Sequence, residues 1–160
     1  MWREHALHTA RVLNEINPDF IRIRTLAMNS RVPLYREVES GNFIRQTDEE
    51  IVEEVKLLIE HLECQSQFVS DHVTNLLQEI EGKLPEDKEK LLGIIKRFQA
   101  LPEEERHNFR VGRRFGIYTN LDELSDARRY EEVSRTIEKM REYGHGVDDN
   151  SLHNLVGRFI

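Results

Sequence analysis

The chain has 160 residues, enough for one domain or for a piece of a larger one. Its formal net charge of −7 argues against broad nucleic-acid binding, and the sequence has no apolar run of about 18 residues that would predict a membrane span. The one cysteine, Cys64, excludes an internal disulfide and favours a reducing, cytoplasmic compartment.

The N-terminal part of the sequence predicts a helix followed by a strand. Residues 5–16 place apolar side chains on one helical face, and Asn17-Pro18 ends this helix because proline disfavours the α region in the residue before it. Residues 19–26 alternate with a period of two, which predicts a strand. Residues 27–46 are expected to form a loop, and loops of that length are often functional.

Helices dominate the rest of the chain. Thr47-Asp48-Glu49-Glu50 is a capping box and opens a helix whose apolar residues form one stripe. The elements expected after it, in chain order, are a strand at Phe68-Val69, helices over 72–80 and 85–99, an acidic helix from Pro102 to near Gly112, an irregular stretch over 113–121, a charged helix over 122–143 and a short helix over 151–158. The predicted fold class is therefore α/β and mostly helical.

Two arginines on the first predicted strand form the first candidate site. Arg22 and Arg24 share one side of the strand. They could bind an anion at the carboxyl end of the strand, where α/β proteins bind ligands. The alternative is an exposed strand face or a structural ion pair.

An acid, an imidazole and an amide follow the second predicted strand. If residues 72–80 are helical, His72 and Asn75 are neighbours on one face, and Asp71 at the helix start could fix the imidazole tautomer. Asp71, His72 and Asn75 are thus the catalytic candidates. The alternative is a helix cap with a polar surface.

Arg110, Arg113 and Arg114 surround Gly112 and could grip a phosphate. The alternative is a solvated turn or pairing with nearby acids. Cys64 has one histidine nearby, His61, and a single pair does not make a metal site. No metal ligands are therefore assigned.

Several stretches resemble radical S-adenosylmethionine (radical SAM) proteins of the coproporphyrinogen-oxidase-like, or Fe–S oxidoreductase, group. The stretches are Leu13-Asn14-Glu15-Ile16-Asn17-Pro18-Asp19-Phe20-Ile21-Arg22-Ile23-Arg24-Thr25-Leu26, then Pro33-Leu34 with Gly41-Asn42-Phe43, then Ser70-Asp71-His72-x-x-Asn75-Leu76, and Gly82-Lys83-Leu84-Pro85-x-Asp87-Lys88. The similarity covers about residues 5–121. It implies that residues 1–121 are the C-terminal part of a partial α/β barrel. Residues 122–160 lie outside the similarity, and their sequence pattern predicts a helical tail.

The resemblance also implies cofactors for the full-length protein. Members hold a [4Fe–4S] cluster on a Cys-x3-Cys-x2-Cys loop and use it to cleave S-adenosylmethionine. This chain has one cysteine, so it is expected to bind no cofactor alone and to be a fragment that is not catalytic in isolation. Arg22 and Arg24 would then hold an anionic group, and Asp71, His72 and Asn75 would face a small-molecule substrate.

A non-catalytic helical interaction module is the alternative function, with the helix over 122–143 as its partner surface. No nucleic-acid or membrane partner is expected in either case. A barrel wall without its other strands would also leave an open edge and an uncovered apolar face, which predicts self-association. The side chains expected on that face are Ile21, Ile23, Phe68 and Val69.

Overall fold

The computed structural model describes residues 1–26, 31–148 and 151–152, and within these ranges the chain is α/β and mostly helical, as the sequence predicts. The helices are α1 (Trp2–Ile16), α2 (Pro33–Glu39), α3 (Asp48–His61), α4 (Lys88–Gln99), α5 (Glu103–Arg114) and α6 (Ala127–Glu142). The strands are β1 (Phe20–Arg22), β2 (Gln67–Val69) and β3 (Glu81–Lys83).

The three strands form one sheet in the order β1-β2-β3. β1 and β2 are parallel, with Ile21 opposite Phe68, whereas β2 and β3 are antiparallel, with Phe68 opposite Gly82. Parallel strands need a long crossover, which α2 and α3 supply here. The carboxyl ends of β1 and β2 therefore lie at the same edge of the sheet.

Asparagines fix the end of α1 against the segment after α3. Asn17 adopts the left-handed conformation (φ 48°) that asparagine tolerates better than most residues, and its N–H donates to Leu13 O. Its side chain accepts from Gln65 N–H at 2.8 Å, and Asn14 accepts from Glu63 N–H at 2.7 Å. The predicted helix end at Asn17-Pro18 is thus confirmed, and its cap also positions β2.

The capping box of α3 is also confirmed. Thr47 Oγ1 accepts from Glu50 N–H at 3.2 Å, and the Glu50 carboxylate accepts from Thr47 N–H at 2.9 Å. α3 packs on α1, where Ala6 and Ala10 are buried and their small side chains allow close approach of the helices. One hydrophobic core then continues from these helices through the sheet to α4, α5 and α6.

The prediction of a helix over residues 72–80 is wrong. This segment is a loop with two turns, and the first of them joins Asn75 N–H to His72 O. Side-chain hydrogen bonds from distant residues hold it, as described below, and they replace the helical ladder. β3 follows the loop at Glu81–Lys83 and was not predicted. Its Gly82 is required because a Cβ there would lie 2.7 Å from Asp87 Cβ.

Other element boundaries also differ from expectation. The loop over 27–46 contains α2, which starts at Pro33, a favourable first helical residue. α4 starts at Lys88 rather than at residue 85. The helix over 122–143 is divided into a 3₁₀ helix at Leu121–Ser125 and α6, because Asp126 caps α6. The helix expected over 151–158 lies outside the described residues after position 152.

The expectation that the sheet has an uncovered apolar face is wrong. Ile21, Phe68 and Val69 are at most 7% exposed. Ile21 and Phe68 belong to the central core, against which Ile23 packs, and that core also includes Leu76 of the loop after β2. The chain's own loop and helices thus bury side chains that a bare barrel wall would expose.

Candidate functional site

A cavity of about 380 Å³ lies at the carboxyl ends of the two parallel strands. The residues just after β1, from Ile23 to Leu26, line one side of it, and Ser70 and Asn75, which follow β2, line another. This edge of a parallel α/β pair is the usual ligand position. The cavity volume also falls within the range of small-molecule sites.

Most of the cavity wall is apolar. α1, α3 and the loops contribute aliphatic and aromatic side chains, and the polar groups lie among them at few positions. The apolar lining residues besides Ile23 and Leu26 are Ala6, Phe43, Ile51, Val52, Val55, Leu58, Leu76, Leu77 and Ile80.

Asn75 joins the exits of the two strands. Its side chain accepts from Thr25 N–H at 2.7 Å and donates to Ile23 O at 3.0 Å. The same amide nitrogen also lies within 3.2 Å of the Ser70 carbonyl and hydroxyl oxygens. Asn75 is 3% exposed, so this amide orients the backbone that forms the cavity wall.

Two arginines of α5 hold the loop that carries Asn75. Arg113 donates to the carbonyls of Asn75 and Leu76, each at 2.9 Å, and Arg114 donates to Thr74 O at 2.7 Å. Arg114 also pairs with buried Asp48 at 2.6 Å. Burial lowers the pKa of Arg113 to about 10, so it stays cationic at neutral pH.

These contacts decide whether Arg110, Arg113 and Arg114 form a phosphate site or pair within the protein. Arg113 and Arg114 bind backbone carbonyls and Asp48, and Arg110 pairs with Glu103 at 3.0 Å. The guanidinium groups therefore stabilise the fold, and the phosphate interpretation is wrong for this arrangement.

Arg22 and Arg24 have different surroundings. Arg22 Nε and Nη2 donate to the two carboxylate oxygens of Asp71, at 2.7 and 2.9 Å. Arg24 lines the cavity, is exposed, and forms no hydrogen bond or ion pair with any residue that the structure describes. The regular strand ends at Arg22, and Arg24 lies just beyond it.

The catalytic candidates lie on one loop but do not form the expected pair. Asp71 contacts Arg22, whereas His72 Nδ1 lies 2.7 Å from Thr74 Oγ1. Asp71 therefore does not fix the His72 tautomer in this arrangement. Of the three, Asn75 lines the cavity directly.

A polar cluster at the cavity was missed by sequence reasoning. Glu54 accepts from Gln46 Nε2 at 2.7 Å, and its other oxygen lies 2.6 Å from His5 Nδ1. Arg45 also lines the cavity. Gln46 and Arg45 belong to the long loop whose length already indicated function, so that signal could have found them.

The part of the chain that the structure describes contains no group of three His, Cys, Asp or Glu residues arranged to hold a metal. Cys64 is buried and is the one cysteine of the sequence, so the residues present do not fit a cluster that needs three thiolates. No helix among the described residues is long and apolar enough to cross a membrane.

No protein-family model, curated protein or solved structure matches this chain. A half-open apolar cavity with a cation at its edge can bind and orient a small molecule.

Proposed function

We propose that this chain is the C-terminal, substrate-binding part of a cytoplasmic radical SAM Fe–S oxidoreductase and is not catalytic in isolation. The single observation that carries the proposal is the cavity at the carboxyl ends of β1 and β2. The family resemblance of residues 5–121 supplies the reaction class. Residues 122–160 would form a helical tail on this part.

The cluster and S-adenosylmethionine would supply the radical that abstracts hydrogen from the substrate, and a longer protein would have to hold them. The residues of this chain would bind and orient the substrate. Asn75 would keep the cavity wall in place through its bonds to Thr25 and Ile23. Arg24 is the better placed anion-binding residue, because Arg22 would first have to release Asp71.

The roles of Asp71 and His72 stay predictions. We expect His72→Ala in the longer protein to lower turnover more than stability, because His72 lies on the loop that borders the cavity. Thermal unfolding and S-adenosylmethionine cleavage should be measured on the same variant. If the variant melts early but keeps its product yield per folded molecule, His72 is structural.

The alternative function, a helical interaction module, gains less support. It would use the helix over 122–143 as its partner surface, but the apolar side of α6 is already occupied. Val133, Ile137 and Met140 are at most 8% exposed and belong to the core of the chain.

The test is anaerobic cluster reconstitution of two proteins. One is the 160-residue chain, and the other is the product of the reading frame extended upstream of Met1. We expect iron and absorbance at ~400 nm only in the extended protein, on a Cys-x3-Cys-x2-Cys loop. An extended frame without that loop, or a stoichiometric cluster on the 160-residue chain, contradicts the proposal.

A further inference from the structure

We propose that the cavity selects an apolar carboxylic acid and that Arg24 binds its carboxylate. This inference rests on the proposed function and deepens it, because it names the chemical class of the substrate. Three features of the cavity support it: an apolar wall, a cation that remains available, and donors that fit a carboxylate better than another anion.

The apolar wall surrounds most of the cavity. α3 presents Ile51, Val52, Val55 and Leu58 on successive turns, and the loop after β2 adds Leu76, Leu77 and Ile80. A polar ligand would lose its hydrogen bonds to water against this wall without replacing them. The body of the ligand is therefore apolar.

The cation that remains available is Arg24. Glu54 is the one acid among the described residues that line the cavity, and its carboxylate is already bound by His5 and Gln46. Arg24 has no acidic partner among the described residues, although the chain carries 30 acidic residues against 23 lysines and arginines. An unpaired cation beside an apolar cavity, in an acidic protein, indicates an anionic ligand group.

The donors at this edge fit a carboxylate better than a phosphate. A guanidinium presents two parallel N–H groups, which match the two oxygens of a carboxylate. Phosphate sites usually add backbone N–H groups, often at a helix start. Here Thr25 N–H is already bonded to Asn75, and the Asn75 amide is fully engaged with the protein.

The experiment compares three ligands that share one apolar body: octanoate, octanamide and octyl phosphate. Each is titrated calorimetrically into the 160-residue chain at low ionic strength, because an exposed arginine is screened by salt. We expect octanoate to bind about tenfold or more tightly than octanamide, which lacks the charge. We also expect octanoate to bind more tightly than octyl phosphate.

Substitutions of Arg24 and of the cavity wall test whether the ligands bind in this cavity. Arg24→Gln should abolish the preference for octanoate over octanamide, whereas the matched control Arg128→Gln, an exposed arginine of α6, should retain it. Val55→Phe should weaken all three ligands by filling the cavity. If Val55→Phe unfolds, Thr9→Phe, on the partly exposed wall contributed by α1, replaces it.

Several results would overturn the proposal. They are equal affinity for octanoate and octanamide, tighter binding of octyl phosphate, retention of the preference in Arg24→Gln, or unchanged binding in the folded cavity-filling variant. The assay needs neither iron nor S-adenosylmethionine. A failure of cluster formation in the extended protein would therefore overturn the proposed function without affecting this result, and the reverse also holds.

Discussion

At the residue scale, Asn75 connects more of the site than the other two catalytic candidates, Asp71 and His72. Its amide must donate to Ile23 O and to Ser70 while its oxygen accepts from Thr25 N–H, so both ends of the group are used. A carboxylate of the same shape could accept but could not donate. The position therefore requires an amide rather than any small polar side chain.

We expect Asn75→Asp to lower the free energy of unfolding by about 3 kcal/mol, because a buried carboxylate would face carbonyl oxygens that have lost their donor. Urea denaturation measures this change. The control is Asn120→Asp, since Asn120 caps the 3₁₀ helix by accepting from Asp122 N–H and aspartate caps equally well. Similar losses in the two variants would contradict the role assigned to Asn75.

The raised pKa of Glu79 is expected to make the stability of the chain depend on pH. Burial raises its pKa above the ordinary value of 4.5, and its Oε1 accepts from Leu121 N–H at 2.9 Å. The folded state therefore binds this proton more tightly than the unfolded state, and stability is lost as pH rises from 4.5 through the raised pKa. Glu79→Gln, which stays neutral and keeps the acceptor, removes that loss.

We expect Glu79→Gln to melt above the wild type at pH 7 and close to it at pH 4, where both side chains are neutral. Thermal unfolding at several pH values measures the difference, with Glu131→Gln on the exposed face of α6 as the control. A difference that does not change with pH would show that Glu79 does not titrate between these states.

At the element scale, α5 connects the C-terminal helices to the site. Its arginines hold the loop that carries Asn75, and its Gly112 lies against Tyr118, where a Cβ would come within 2.2 Å of the ring. Tyr118 is fully buried and donates to Asn108 Oδ1 at 2.8 Å. The ring therefore has little room to move.

We expect Gly112→Ala to cost about 3 kcal/mol, through overpacking against Tyr118. Gly93→Ala is the matched control, because Gly93 also lies inside a helix but a Cβ there meets nothing within 4 Å. That change should stabilise the chain by ~0.5–1 kcal/mol. Denaturant unfolding of both variants gives the comparison, and a harmless Gly112→Ala would contradict the packing described for α5.

The elements show which parts of the fold are readable from the sequence. The end of α1 at Asn17-Pro18 and the start of α3 at Thr47 were predicted because local hydrogen bonds determine them. The loop over 72–80 was not, because Val73, Leu76, Leu77 and Ile80 repeat with a helical period. That segment is a loop because residues distant in sequence bind it: the arginines of α5 bind its carbonyls, and Thr25 and Ile23 bind the side chain of Asn75.

The candidate site could also be predicted only in part, because some of its residues follow local sequence patterns and others come together over a long range. Arg24 was named from its position on the first predicted strand and Asn75 from its position after the second, and both line the cavity. His5 and Glu54 were not, because they come together from α1 and α3 across 49 positions of sequence. A local sequence pattern cannot indicate a contact between residues that far apart in the chain.

At the scale of the whole molecule, β1 has a neighbouring strand on one side only among the described residues. Unpaired strand edges favour association between chains. Phe20 on this strand is 53% exposed, and Ile16 nearby is 65% exposed. Self-association would thus use the edge of β1, whereas the apolar face also expected from the sequence is covered.

We expect the sedimentation coefficient of the 160-residue chain to rise with concentration, and Phe20→Lys to reduce this rise. Ile44→Lys is the control, because Ile44 is 82% exposed but lies outside the sheet. A chain that stays monomeric over the whole concentration range would contradict association through β1.

We propose that this chain is the substrate side of a radical SAM enzyme, and S-adenosylmethionine cleavage by the extended, cluster-loaded protein tests this most directly. We predict that it forms 5′-deoxyadenosine and that replacing the upstream cysteines abolishes this product. A cluster-loaded protein that forms no 5′-deoxyadenosine with reductant present, or product formation that survives loss of the cysteines, would contradict the claim.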